Sequence, residues 1–209
     1  VKSTRVRVIL AVAAAGVALT ACSPNQAGSA AIVAGERITS SELDRNVQEY
    51  EAALAKANIS ASQLNFPGSV PQAVLFQLVT MKRTAKAAES KGMTATEGEV
   101  DQVIAAAGGQ AAFEQRMVQQ AIAPSRIREV VRSNLMFNKL IAKYGGGADD
   151  AAVQRGQVQA AQDLQAVKVV WNPRYGTFNE QRSEQQPQLF LDNDRFGKLP
   201  AAGAAAQPQ

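Results

Sequence analysis

Apolar residues recur at helical spacing along most of the chain and alternate in two short places. Ala31-Ile32-Val33-Ala34 is a compact apolar run followed by Gly35-Glu36, which predicts a short strand and a turn. Arg37-Ile38 then leads into a helix. Leu43, Val47, Tyr50 and Leu54 share one face of it, and Asn58 ends it. Thr39 and Glu42 have capping-box spacing, with Ile38 and Leu43 placed as a hydrophobic staple. Residues 59–70 form a loop around Phe66-Pro67-Gly68. A second helix opens near Pro71, carries Val74, Leu75, Leu78, Val79 and Met81, and stops at Gly92. Thr96 and Glu99 repeat the capping spacing ahead of Val100, Val103 and Ile104. Phe113 and Met117 mark a short helix, and Pro124 opens a long one running through Ile127, Val130, Val131, Phe137, Leu140 and Ile141 to Gly145.

Beyond Gly145 the pattern thins. Residues 148–166 are helical in propensity, but their apolar face is Val153, Val158 and Leu164 among alanines and glutamines, and Gly156 weakens it further. Val167 to Trp171 is β-branched and alternating, so it predicts a second strand. Asn172-Pro173-Arg174-Tyr175-Gly176 is a turn. Gln181 onward is rich in Gln, Pro, Ala and Gly and reads as a disordered tail. Two isolated strands in a helical chain are satisfied most economically by pairing with each other. The expected fold class is mainly α, with a small two-stranded sheet joining N- and C-terminal segments.

The first residues have a separate character. Lys2, Arg5 and Arg7 precede an apolar run from Val8 to Leu19, shorter than the ~20 residues that span a bilayer. This is the layout of an export signal. The run ends in Leu19-Thr20-Ala21-Cys22, which resembles the lipobox of bacterial lipoproteins. That resemblance implies cleavage after Ala21 and lipidation of Cys22, with anchoring on the extracytoplasmic face of the cell membrane. The expected organisation is a signal over 1–21, a tether over 22–30, a helical domain with its terminal strand over 31–180, and a tail over 181–209.

Charge changes meaning once the signal is set aside. The chain has 22 basic and 18 acidic residues, a net of +4. Three of the basic residues belong to the signal, so the remainder is nearly neutral and predicts no nucleic-acid partner. The chain contains no histidine and one cysteine. Histidine-dependent triads, Cys-His pairs and zinc sites are therefore excluded from it. Gly-rich phosphate motifs are not found either, and Asp149-Asp150 reads as a helix cap. No catalytic residue, metal ligand or cofactor is expected.

The order of elements resembles a known family. Residues 30–47 (AAIVAGERITSSELDRNV) look like the opening of SurA-like and PrsA-like foldases: a short strand, Gly-Glu, then Thr-x-x-Glu-Leu starting a helix. Residues 73–106 and 108–141 continue the resemblance with a leucine-rich helix, a glycine stop, a Thr cap, Gly-Gly, Phe and a long basic helix. With the lipobox and the segment ending Pro173-Arg174-Tyr175-Gly176, the chain is similar to short actinobacterial lipoproteins of that group. The resemblance implies a chaperone-like module that binds unfolded or partly folded exported proteins. Larger members insert a parvulin domain whose prolyl isomerase activity uses histidines, so that activity is not implied here. Met81, Met117 and Met136 are adaptable enough for promiscuous contact, although methionine at helical spacing is more often core. Client-binding residues are not identifiable from sequence. A scaffold or accessory lipoprotein with one cell-envelope partner is the alternative reading.

Overall fold

The computed structural model describes residues 28–147 and 149–192. Strand β1 (Ser29–Val33) turns at Ala34-Gly35 into β2 (Glu36–Thr39). Both turn residues have positive φ, 50° and 85°, as a two-residue hairpin of primed type demands. On the other edge of β1 lies β3 (Val169–Trp171), antiparallel, with Ala31 opposite Trp171 and Val33 opposite Val169. The N- and C-terminal segments thus pair as expected, but the sheet has three strands in the order β2-β1-β3. Arg37-Ile38, expected to lead into the first helix, is the centre of β2. Its outer residues Glu36 and Arg37 are exposed while Ile38 is buried, so its alternation is too brief to register in sequence.

There are six α-helices among the described residues, and the first two make the main contacts with this sheet. Helix α1 (Ser40–Lys56) buries Leu43, Tyr50 and Leu54, the face its spacing predicts. Thr39 caps it, accepting from the Glu42 amide at 3.0 Å. The Glu42 carboxylate pairs with Arg126 at 2.9 Å, tying α1 to the start of a later helix. Helix α2 (Val70–Glu89) is central and buried on several sides, through Ala73, Val74, Leu75, Leu78, Val79 and Met81. A full capping box of Ser69 and Gln72 fixes its start. Helices α3 (Glu97–Ala106) and α4 (Gln110–Val118) form a smaller core with α5 (Ile127–Gly145) through Val100, Ile104, Met117, Ile127 and Val131. The capping box of Thr96 and Glu99 is present in both directions.

Helix α6 (Asp150–Ala166) departs from the expectation of a weakly held segment. Its buried residues are Ala152, Gly156 and Ala160, a stripe of small side chains at four-residue spacing. Small residues let helix backbones approach closely. A Cβ at Gly156 would collide with the Ile141 carbonyl oxygen, and one at Gly145 would lie 2.5 Å from the Ala152 carbonyl oxygen. Polar contacts secure the joint: Tyr144 donates to Asp163 at 2.6 Å, and Arg83 donates to the Leu164 carbonyl at 2.8 Å. Asp149 caps the helix, accepting from the Ala152 amide.

The tail expected from Gln181 onward is also revised. Strand β4 (Thr177–Phe178) pairs antiparallel with β5 (Phe190–Leu191), and Leu189 and Phe190 are buried. Leu189, Phe190 and Leu191 are three adjacent apolar residues in a Gln- and Pro-rich stretch, a run too short to show periodicity, so composition alone hides them. The rest of that stretch, from 193, lies outside the described residues, as do the expected signal, the expected lipobox residues Leu19, Thr20 and Ala21, and Cys22.

Candidate functional site

Helices α1 and α4 face each other across an open groove of about 450 Å³. From α1 come Ala52 and Ala53 with Glu49 and Lys56, and from its C-cap Ala57; from α4 come Ala111 and Val118 with Glu114 and Gln115. Pro124 also lines the groove. The groove exists because its floor is alanine: methyl side chains do not fill the space between two helices that larger residues would fill. The wall spacing is fixed by Tyr50, whose hydroxyl donates to the Val118 carbonyl at 2.5 Å from a fully buried position. Burial pushes the Tyr50 phenol up to about 12. Glu49 is held in place at the rim by the Ser125 amide and hydroxyl, at 2.7 and 2.6 Å. The result is a preformed apolar trough with a charged rim, suited to weak apolar contact and without converging polar groups.

A second, wider cleft of about 690 Å³ lies where the end of α2 meets the end of α6 and the β1–β2 turn. It is lined by Lys86, Lys91, Lys168, Glu89 and Asp163. Its charges largely serve each other. Lys86 pairs with Glu36 and Glu89, and Lys91 with Asp163. Hydrogen bonds from Lys86 and Lys82 hold the Glu36 carboxyl below its ordinary value, and bonds from Lys91 and Tyr144 do the same for Asp163. These pairs read as a structural seam.

Met81 and Met117 are buried in the two cores, Met136 is buried on α5, and none of the three lines the groove. The groove residues were not visible as a site in the sequence. The signal available was the alanine stripe of residues 52–57 running beside Leu54, which helix periodicity weighs as filler. Among the described residues no group of three His, Cys, Asp or Glu converges to hold a metal, and no buried side-chain nitrogen or oxygen lacks a partner.

A helical domain closed by a small sheet, with an apolar trough on its surface, defines a module built to bind. The family model for the SurA-like N-terminal domain matches residues 1–141, and the chain belongs to that family. The domain is of chaperone type, non-catalytic and extracytoplasmic in association. No curated protein and no solved structure matches the chain. The family match ends inside α5, so α6 and β3–β5 lie beyond it.

Proposed function

We propose that the protein is a lipid-anchored, extracytoplasmic holding chaperone that shields unfolded exported proteins without ATP and without prolyl isomerase activity. The observation that carries this reading is the open alanine-floored groove between α1 and α4, in a chain of the SurA-like N-terminal family. Transient capture of unrelated non-native chains requires accessible apolar surface without demanding polar readout, and the groove has that chemistry. Isomerisation of X-Pro bonds faces a barrier of ~18–20 kcal/mol and needs a shaped pocket around the proline. The histidines that parvulins use for it have no counterpart in this sequence. The lipobox supports anchoring through Cys22, and among the described residues no helix is long and apolar enough to cross a membrane.

The purified protein should suppress aggregation of several unrelated denatured proteins at near-stoichiometric ratio. Ala52→Glu with Ala111→Glu places charge on the groove floor at exposed positions, and should reduce suppression while leaving the helical content unchanged. Unaltered suppression in that variant removes the groove from the account. Anchoring is tested by Cys22→Ser, which should abolish membrane association; mass spectrometry finding an unmodified Cys22 thiol in the cell would end the lipoprotein reading. A scaffold reading has one supporting observation, the exposed Val153 and Val158 on α6. It requires one stoichiometric envelope partner and no protection of unrelated clients.

A further inference from the structure

The segment after β4 crosses an aromatic patch as a strap. Residues 180–188 are exposed throughout, and the strap is seated by Leu189 and Phe190, 4% and 6% exposed. Phe190 lies edge-on to Trp171 and Phe178, with ring centroids 5.2 and 5.6 Å away. Phe178 itself stacks on Trp171 at 4.6 Å and on Phe76 at 6.0 Å. The seat is therefore walled by aromatic rings from α2, β3 and β4.

The polar contacts of the strap with the body of the fold go to its backbone. The Leu189 amide donates to the Pro67 carbonyl at 2.7 Å, and the Asn179 amide donates to the Leu189 carbonyl at 2.9 Å. The Asn179 side-chain amide, itself buried, donates to the carbonyls of Gln186 and Gln188 at 3.3 and 3.2 Å. β4 pairs Thr177 with Leu191 and Phe178 with Phe190. None of these bonds reads a strap side chain. Main-chain hydrogen bonds to a strand edge, plus pockets for one or two apolar side chains, is the way proteins recognise extended peptides of varied sequence. A pairing two residues long is also weak alone, since isolated two-stranded ribbons are marginal in water.

We propose that this seat is a peptide-binding site which the chain's own strap occupies until a client displaces it. The occupant is an extended segment of a non-native protein carrying two adjacent apolar residues, the second aromatic. Its backbone takes the Pro67 carbonyl, the Asn179 groups and the edge of β4, and its aromatic ring takes the place of Phe190. The proposal rests on the holding-chaperone reading and adds a second contact surface, distinct from the α1–α4 groove and beyond the family match apart from Pro67 and Phe76. It accounts for the burial of a Leu-Phe pair within an otherwise polar, exposed stretch.

The test locks the strap. Thr177 and Leu191 are directly opposite in the β4–β5 register. Opposite residues in antiparallel pairs have Cα atoms about 4.5–5.5 Å apart, within the range a disulfide spans. Thr177→Cys with Leu191→Cys, in the full chain carrying Cys22→Ser, gives a strap fixed when oxidised and free when reduced. The probe is a synthetic peptide copying residues 186–192, QPQLFLD, with a control in which its leucine–phenylalanine pair is replaced by serines. Trp171 is the only tryptophan in the sequence, and its contact with Phe190 makes its fluorescence the readout. The reduced protein should bind the copy peptide about tenfold or more tightly than the oxidised protein, and the control peptide not at all. Equal binding in the two redox states, equal binding of the control, or no binding when reduced overturns the proposal. Phe190→Ser, which loosens the strap without a crosslink, should raise peptide affinity to a similar degree; an unchanged or lower affinity overturns it as well. Aggregation assays separate the two ideas. A redox switch in peptide binding without aggregation suppression refutes the holding reading and upholds the seat. Suppression without a switch refutes the seat alone.

Discussion

Gly156 sits in the middle of α6, where alanine would favour the helix by about 1 kcal/mol. A Cβ there meets the Ile141 carbonyl oxygen of α5, so the two backbones would have to part. Overpacking of this kind costs about 1–3 kcal/mol. Gly156→Ala is therefore expected to lower the urea midpoint, and a raised midpoint would show that α6 does not dock as described. Tyr50 acts across a different joint. Its hydroxyl holds the Val118 carbonyl, and Tyr50→Phe should cost about 1–2 kcal/mol by leaving that carbonyl unsatisfied. Its phenol is pushed from an ordinary value of 10.0 to about 12. A folded-state value above the unfolded one means stability is retained below pH 10 and declines as pH rises toward 12. Chemical denaturation measured across pH 8–11 should show that decline in the wild type and a smaller one in Tyr50→Phe.

At the scale of elements, α6 and β3 form one structural addition to the family-matched region. α6 buries small residues on α5, and β3 completes the free edge of β1. Truncation after Tyr144 removes both, together with the Tyr144–Asp163 bond and the aromatic patch around Trp171. The melting temperature should fall by on the order of 10 °C or more, beyond what loss of a surface appendage would do. A truncated chain melting like the full one would mean that the sheet pairing contributes nothing. These elements also show where sequence is readable and where it is not. Leu43, Tyr50 and Leu54 announce α1 because large side chains at helical spacing have no other economical use. Ala152, Gly156 and Ala160 do the same work of docking by being small, and a hydrophobicity pattern scores smallness as weakness. Glu36-Arg37 conceals β2, because a strand exposed on one edge is polar except at Ile38. The groove is the extreme case: alanine is also the default filler of helices, so Ala52, Ala53, Ala57 and Ala111 acquire meaning only when two helices meet. Leu189-Phe190 is too short a run to raise any periodicity at all.

The molecule as a whole is knit by charge pairs on its surface. Glu36 lies below its ordinary value through Lys86 and Lys82, Glu97 through Arg128 and Arg132, Glu99 through Lys139, and Asp163 through Lys91. Carboxyls depressed in the folded state contribute stability that is present above their unfolded values, 4.5 for the glutamates and 3.8 for Asp163, and is lost as pH falls through the folded ones. The pairs are largely exposed, so the effect per pair is small and weakens with added salt. Thermal melts at pH 6 and pH 3.5 should differ more for the wild type than for Glu36→Gln with Glu97→Gln. An equal difference would assign the acid sensitivity elsewhere.

The sheet has a consequence for the order of assembly. β1 is made at residues 29–33 and its second partner at residues 169–171, with nearly the whole fold between them. Hairpin β1–β2 and the local helices can form as soon as their own residues are free to fold, but one edge of β1 must wait for the far end of the chain. Contacts this distant in sequence close late and slow folding. During that wait the protein carries an unpaired, apolar strand edge, the kind of surface that invites aggregation. The protein is thus itself an immature chain at first, exposed to the hazard of edge-to-edge association until its last strand arrives.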